Sequence, residues 1–105
     1  MSVIDFLQQM AKAVDPSATA GTQNVIQFNT SKPAYLTINN GTATVTEGAA
    51  PNADVTLTMQ DDDLIALLKG ELNGMQAFMT GKLQLEGDMM LAQRMSSFFD
   101  RSRLG

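Results

Sequence analysis

The sequence predicts an α+β domain in which helices cover one apolar face of a five-stranded, mostly antiparallel sheet. Apolar residues recur at helical spacing near the N-terminus, and four central segments then alternate in polarity. Capped apolar runs and one further short strand complete the chain. The 105 residues are expected to form a single domain, residues 1–105, and the short links between strands favour antiparallel pairing.

The first element is predicted to be an amphipathic helix over residues 3–14. Its apolar face consists of Val3, Ile4, Leu7, Met10, Ala11 and Val14. Ser2 is a candidate N-cap. The Asp15-Pro16 pair is expected to end the helix, because the residue before a proline avoids helical geometry. The run SATAGTQ that follows is predicted to be a polar connector.

Four strands are predicted in the segments VIQFNTS, AYLTIN, TATVTEG and DVTLTMQ. Each alternates apolar and polar residues and is rich in Thr and β-branched side chains, which is typical of half-buried strands. Asn39-Asn40-Gly41 predicts a tight hairpin turn between the second and third strands. One face of this sheet is therefore expected to be apolar and the other polar.

Two helices, over about 61–69 and 74–79, are predicted after the fourth strand. The carboxylates of residues 61–63 are expected to cap the first helix, where they also face the positive end of the helix dipole. Asn73 is expected to cap the second helix, and Gly81 to end it as a residue with positive φ.

The segment KLQLEG is predicted to be a fifth strand, with Leu83 and Leu85 directed inward. Gly87 allows a tight turn from this strand, and Asp88 is expected to cap a final helix that continues to about Phe99.

The composition excludes several classes of function. The chain has no Cys and no His, which removes thiolate nucleophiles, zinc–cysteine sites and the commonest general base. With a net charge of −4 and no basic cluster, nucleic-acid binding is not expected. No apolar run approaches the roughly 18 residues of a membrane span, and the N-terminus lacks the basic residues of a secretory signal. What remains is a binding or structural module, or an enzyme that uses only carboxylates and hydroxyls. Because no base is visible beside the threonines or the Glu86–Asp88 pair, we expect no catalytic residue, no metal and no cofactor.

The segment MTGKLQLEGDMMLAQRM, residues 79–95, contains four of the eight methionines of the chain. A larger apolar set on the last two helices comprises Met75, Phe78, Met79, Met89, Met90, Met95, Phe98 and Phe99. One interpretation is that methionine fills gaps in the core. The other is that part of this surface covers a ligand or a protein, because a helix that is apolar nearly all round cannot bury every side in a two-layer fold.

Residues 53–95 resemble the second half of the sterol carrier protein type 2 family of lipid-binding domains. The strand DVTLTM precedes an acidic cap and an apolar helix, and AFMTGKLQLEGD leads directly into MMLAQRM. The positions that match the family pattern are Ala77, Phe78, Gly81, Lys82, Leu83, Gly87, Asp88, Met89, Leu91 and Ala92. The first half of the chain agrees with the family in the order of its elements.

The resemblance implies an apolar tunnel between sheet and helices that holds a fatty acid, a fatty acyl-CoA or a sterol-like lipid. The residues expected to line it are Leu57, Leu64, Leu68, Met75, Phe78, Met79, Leu83, Met89, Met90, Met95, Phe98 and Phe99. At Met90 the chain departs from the family, which often has Gly there, so a bulkier wall is expected at that position. The tripeptide SRL is followed by Gly105 and so is not at the C-terminus of the sequence. We therefore expect no peroxisomal signal and a bacterial, cytoplasmic member.

Two hypotheses of function follow. The first is a non-enzymatic intracellular lipid carrier. The second is an interaction module, in which the apolar last helix packs on a second subunit or on a partner enzyme of lipid or quinone metabolism. A homodimer and a transient membrane contact are left open by both.

Overall fold

The computed structural model describes residues 3–99, which form one five-stranded sheet with helices on one side. The helices are α1 Val3–Lys12, α2 Pro16–Thr19, α3 Asp61–Lys69, α4 Gly74–Met79 and α5 Met89–Arg94, and a 3₁₀ helix spans Met95–Phe98. The strands are β1 Gln23–Asn29, β2 Ala34–Asn39, β3 Thr42–Glu47, β4 Val55–Thr58 and β5 Gln84–Gly87. The predicted fold class and the five strands are confirmed.

The strand order across the sheet is β3-β2-β1-β4-β5. Three of the four strand pairs are antiparallel, as predicted, whereas β1 and β4 are parallel, with Ile26 opposite Val55 and Phe28 opposite Leu57. Parallel strands need a long connection, and here β2 and β3 lie within the chain that joins β1 to β4. The parallel β1–β4 pair therefore joins the antiparallel meander of β1, β2 and β3 to the antiparallel pair of β4 and β5.

The predicted hairpin turn joins β2 to β3. Asn40 and Gly41 have φ values of 47° and 90°, the positive values that both central residues of a type I′ turn require. The side-chain oxygen of Asn40 also accepts a hydrogen bond from the backbone N–H of Gly21 at 2.8 Å. The turn is thereby attached to the loop that leads into β1.

Helix α1 is amphipathic as predicted, although it ends at Lys12 and buries Phe6 as well. The prediction of a plain connector after it is wrong, because residues 16–19 form the short helix α2. The Asp15 carboxylate caps that helix by accepting hydrogen bonds from the N–H groups of Ser17 and Ala18, and Pro16 suits its first turn. The predicted Ser2 cap lies outside the described residues.

The predicted bounds of α3 and α4 are confirmed. Asn73 caps α4, since its side-chain oxygen accepts from the N–H of Met75 at 2.9 Å. The expected caps of α3 are wrong. Gln60 occupies the N-cap position without a side-chain bond, and the Asp61 carboxylate instead accepts hydrogen bonds from the N–H and hydroxyl of Ser31 in the β1–β2 loop.

The core lies between the apolar sheet face and the helices. Its largest fully buried side chains include Leu7, Met10, Ile26, Phe28, Leu36, Ile38, Leu57, Leu64, Leu91 and Phe98. The last helix is shorter than predicted, because α5 ends at Arg94 and the chain tightens into the 3₁₀ helix. Phe99 then pairs with Val14 in an isolated β-bridge, which ties the end of the described chain to the segment after α1. Within residues 3–99, no helix is long and apolar enough to cross a membrane.

Candidate functional site

A cavity of about 500 Å³ lies between the β4–β5 end of the sheet and helices α3, α4 and α5. Its lining residues are Leu57, Leu67, Leu68, Gly70, Leu72, Asn73, Gly74, Met75, Phe78, Leu83, Leu85, Met89, Ala92, Gln93 and Met95. Only Asn73 and Gln93 in this set carry polar side chains, and both are exposed. The lining contains no charged side chain, so the cavity suits the apolar part of a ligand.

The turn between α3 and α4 forms one end of the cavity. Gly70 adopts φ 82° after the last residue of α3, and its N–H bonds the carbonyl groups at the end of that helix. The chain can then reverse through Leu72 into α4. Gly74 is the first residue of α4 and lies close to α3. A Cβ at this position would lie only 3.3 Å from Cδ1 of Leu67. Small residues at this turn therefore let α4 lie over the cavity.

The turn between β5 and α5 joins two elements that line the cavity, through Leu85 and Met89. Gly87 has φ 102°, and a Cβ at this position would lie 2.5 Å from the carbonyl oxygen of Asp54. Asp88 donates its N–H to that oxygen at 2.9 Å, and its side chain caps α5 through the N–H of Leu91 at 3.0 Å. This fixes where α5 begins relative to β4 and β5.

The residues of α5 that line the cavity are Met89 and Ala92, and Met95 continues the same stripe in the 3₁₀ helix. A spacing of three residues places side chains on the same side of a helix. The opposite side of α5 is directed to solvent, and Met90 lies there with 70% of its surface exposed.

Seven of the twelve residues predicted for the binding site line this cavity: Leu57, Leu68, Met75, Phe78, Leu83, Met89 and Met95. They come from β4, α3, α4, the approach to β5, α5 and the 3₁₀ helix, so the fold brings together residues that are far apart in the sequence. Their contact with a lipid remains a prediction.

The other five predicted residues lie elsewhere. Leu64, Phe98 and Phe99 are buried in the core, while Met79 and Met90 are exposed on the surface. The expectation of a bulkier wall at Met90 is wrong for this structure, since the side chain of Met90 does not line the cavity. Apolar character alone did not distinguish core, cavity wall and surface.

Several lining residues were missed: Leu67, Leu72, Leu85, Ala92 and Gln93. Two of them had a usable signal. Ala92 follows Met89 by three residues on a helix, and Leu85 follows Leu83 by two residues at the start of a strand. Leu72 lies in the turn between two helices, where no periodicity applies.

Apolar surface continues from the cavity to the outside of the molecule. Within the described part of the chain, the exposed large hydrophobic side chains are Met75, Phe78, Met79, Met89 and Met90, all on α4 and α5. Three of these, Met75, Phe78 and Met89, also line the cavity. The helices over the cavity are thus apolar on both their inner and part of their outer surfaces. Among the described residues, no group of three or more acidic side chains could hold a metal ion.

Residues 4–100 match the model of the SCP-2 sterol transfer family. The chain belongs to that family. Membership supports a role in binding or transferring lipids, in agreement with the apolar cavity. The sequence resemblance in residues 53–95 is confirmed by this match, which extends it over most of the first half.

Two curated relatives illustrate the similarity in sequence. The chain is 41% identical over 61 residues to the oleate-induced peroxisomal protein of Candida maltosa, a match that covers 58% of this chain and 48% of that protein. It is 42% identical over 60 residues to sterol carrier protein 2 of Rattus norvegicus, covering 57% of this chain and 11% of that protein. The chain therefore spans about half of the first relative and a small part of the second.

Solved structures show the same fold. The solution structure of palmitated SCP2L2 from Aedes aegypti superposes with a TM-score of 0.71 at 26% identity, covering 92% of this chain and 93% of that chain. The sec-alkylsulfatase Pisa1 from Pseudomonas sp. superposes with a TM-score of 0.89 at 22% identity. That match covers 95% of this chain but 16% of the enzyme, and at this identity it shows the fold alone. The same fold thus occurs both as a small protein and as part of an enzyme.

Proposed function

We propose that this domain is a lipid carrier that holds the hydrocarbon chain of a fatty acid or fatty acyl-CoA in the cavity under α3, α4 and α5. The observation that carries the proposal is the apolar cavity of about 500 Å³, a volume within the roughly 300–1,000 Å³ of small-molecule sites. A family relative that matches over 92% of this chain and 93% of its own was solved in a palmitated form, which supports an acyl chain as the occupant.

The hydrophobic effect is large enough for useful affinity. About fifteen methylenes at about 0.8 kcal/mol each contribute roughly 12 kcal/mol when they are buried. Association costs at least about 4 kcal/mol in lost freedom. At most about 8 kcal/mol remains, which corresponds to a dissociation constant of about 1 μM or weaker. That value suits a carrier, which must release its ligand as well as bind it.

The ligand's polar end is expected to lie at the cavity opening. No charged residue lines the cavity, so a carboxylate or a CoA group would be left uncompensated inside it. The amides of Asn73 and Gln93 are the polar side chains in the lining, and both reach solvent. Of the two, Asn73 already uses its oxygen to cap α4, which leaves its NH₂ group available for a headgroup.

The lining also supports a role without catalysis. Its fifteen residues contain no Ser, Thr, Lys, Asp or Glu side chain that could act as nucleophile, acid or base. A bound lipid would therefore be carried unchanged. Incubation of the protein with a fatty acyl-CoA, followed by mass spectrometry of the extracted lipid, tests this point, and any hydrolysis above buffer would contradict it.

The decisive experiment blocks the cavity. Ala92 is half-buried in the lining, so Ala92→Trp would place an indole where the acyl chain is proposed to lie. We expect the affinity for a fluorescent fatty acid to fall at least about ten-fold, a loss of about 1.4 kcal/mol. Met90→Trp is the matched control on the exposed side of the same helix, and it should bind normally.

Native mass spectrometry of the purified protein should show a lipid adduct that the Ala92→Trp variant lacks. Equal binding by the Ala92→Trp and Met90→Trp variants would contradict the proposed site. Absence of any adduct, together with no saturable binding to the wild-type protein, would contradict the proposed function itself.

We further propose that the exposed side chains of α4 and α5 contact a membrane transiently during loading and release. Met79 and Met90 are 77% and 70% exposed and do not line the cavity, so they are free to enter an apolar interface. Met79→Gln with Met90→Gln should slow transfer of a fluorescent fatty acid from phosphatidylcholine vesicles while leaving its affinity unchanged. Unaltered transfer would contradict this contact. A wild-type mass in solution of twice the chain mass, returning to the chain mass in the double variant, would assign the surface to a homodimer instead.

A further inference from the structure

The described methionines fall into two groups by exposure. Three are buried, with exposed fractions of 2%, 6% and 3% for Met10, Met59 and Met95. Four are largely exposed, with fractions of 63%, 77%, 50% and 70% for Met75, Met79, Met89 and Met90. The exposed group lies entirely on α4 and α5, the two short helices beside the cavity. Peroxides in solution are therefore expected to reach the exposed group more readily than the buried group.

Met75 and Met89 differ from the other exposed methionines because they also line the cavity. Met79 and Met90 are exposed but lie outside the lining. Met95 lines the cavity but is almost fully buried. Accessibility to an oxidant and contact with the cavity thus coincide at two of the described methionines.

We propose that Met75 and Met89 form an oxidation site, and that their conversion to methionine sulfoxide by a peroxide lowers the affinity of the cavity for lipid. The inference rests on the proposed function, in which the cavity holds an acyl chain. In the reaction, the thioether sulfur attacks one oxygen of hydrogen peroxide. An S–O bond forms, the O–O bond breaks and sulfur loses two electrons, while the proton on the transferred oxygen passes to the other oxygen, which leaves as water.

The sulfoxide changes the cavity wall from apolar to polar. A thioether is a soft, apolar surface for an acyl chain, whereas a sulfoxide oxygen needs a hydrogen-bond donor. The lining offers few donors, because Asn73 and Gln93 are its polar side chains. A sulfoxide packed against an acyl chain would therefore be left without a partner, and one turned toward solvent would leave part of the chain uncovered. Either arrangement favours release of the lipid.

Leucine is a suitable replacement, because it is similar in volume to methionine and cannot be oxidised. The test compares the wild-type protein with a Met75→Leu/Met89→Leu variant and with a Met79→Leu/Met90→Leu control. Each delipidated protein is titrated with a fluorescent fatty acid before and after treatment with hydrogen peroxide, and each is compared with its own untreated affinity. Peptide mass spectrometry locates the added oxygen atoms, and circular dichroism checks that the fold is retained.

We expect the four exposed methionines to be oxidised before Met10, Met59 and Met95 in the wild-type protein. Its dissociation constant should then rise about ten-fold, and the control variant should lose affinity to the same extent. The Met75→Leu/Met89→Leu variant should keep its own affinity after treatment. Methionine sulfoxide reductases should restore the wild-type protein, because sulfoxide formation is reversible by these enzymes.

Three results would overturn the inference. The first is wild-type protein that carries sulfoxides at Met75 and Met89 and still binds with its untreated affinity. The second is an equal loss of affinity in the Met75→Leu/Met89→Leu variant. The third is oxidation of the buried methionines before Met75 and Met89. Untreated protein that binds no fatty acid would instead contradict the proposed function, so the two failures are distinguishable.

Discussion

One face of the sheet is covered in two different ways. Over the β3 side lies α1, a ten-residue helix that buries Val3, Phe6, Leu7 and Met10. Over the β4–β5 side lie the six-residue helices α4 and α5, which leave a cavity of about 500 Å³. Here the first region is called the closed half and the second the open half. The same sheet therefore supports a packed core at one end and an apolar cavity at the other.

The difference follows from helix length and from what fixes each helix. Isolated helices shorter than about 12 residues are marginal in water, so all three helices depend on their surroundings. Helix α1 buries five residues in the core, whereas α4 and α5 bury one each and depend more on their caps. Asn73 and Asp88 provide those caps. Elements of low local stability open most readily, and a carrier needs such elements where its ligand enters. We infer that the closed half maintains the fold while the open half adapts to its contents.

The largest expected effect is the loss of a buried side chain in the closed half. Leu7→Ala removes a side chain that is 1% exposed, and it should lower the free energy of unfolding by about 2–5 kcal/mol. Leu72→Ala is the matched change in the open half, where the half-buried leucine borders an existing cavity; it should cost under about 1.5 kcal/mol. Urea denaturation measures both, and equal losses would contradict the division into two halves.

Ligand binding should stabilise the open half selectively. At a free fatty acid concentration of about 100 times the dissociation constant, linkage adds about 2.7 kcal/mol to the stability of the whole domain. Hydrogen exchange followed by mass spectrometry, performed with and without the fatty acid, resolves where protection increases. We expect slower exchange in α3, α4 and α5 beyond any change in α1. Equal protection of α1 and α4 would show that the ligand acts on the domain as a unit.

Replacing a glycine in the open half should destabilise the protein nearly as much as losing a buried side chain in the closed half. Gly87→Ala combines φ 102° with a Cβ only 2.5 Å from the Asp54 carbonyl oxygen, and the change should cost about 1–3 kcal/mol and loosen the start of α5. Gly81→Ala is the control, because φ is 81° but nothing lies within 4 Å of the added Cβ. Thermal unfolding should show the larger loss for Gly87→Ala. Equal melting temperatures of the two variants would mean that the close approach of Gly87 to Asp54 and β4 does not affect stability.

Much of the fold could be predicted because its signals are local. The alternation in four strands, the Asn40-Gly41 turn and the bounds of α3 and α4 each depend on neighbouring residues. The parallel β1–β4 pair was not predicted from the sequence. It depends on whether β4 pairs with β1 or with β3, the two edge strands of the meander. Asp61 was misjudged for the same reason, because its partner Ser31 is 30 residues away.

The cavity lining was predicted in part, and the misplaced residues reflect the local geometry of short helices. Met90 has the same chemistry as Met89 but lies about 100° round α5 from it, outside the cavity lining. Met79 lies on the same side of α4 as Met75, but one turn further along the helix, and it is also outside the lining. Over six residues, periodicity cannot define which side faces the sheet. Phe98 was placed in the site because α5 was expected to continue, whereas the change to a 3₁₀ helix at Met95 turns it into the core.

The smallest expected effect concerns α3, the helix that borders both halves. Hydrogen bonds from the hydroxyl and the N–H of Ser31 lower the pKa of the Asp61 carboxyl below its usual 3.8. Because the folded-state pKa is depressed, this contribution to stability is present above pH 3.8 and disappears as pH falls through the lower folded value. Asp61 is partly exposed, so solvent limits its contribution to less than about 1 kcal/mol.

Asp61→Asn tests this attachment of α3 to the β1–β2 loop. At neutral pH the variant should melt slightly below the wild-type protein, since the amide is a weaker acceptor than the carboxylate. The difference in melting temperature between the two proteins should narrow below pH 3.8, where the wild-type carboxyl begins to take up its proton. Asp62→Asn is the control, as that neighbouring side chain is exposed in the same turn of helix. A difference in melting temperature that stays constant from neutral to acidic pH would mean that the charge of Asp61 does not hold α3 in place.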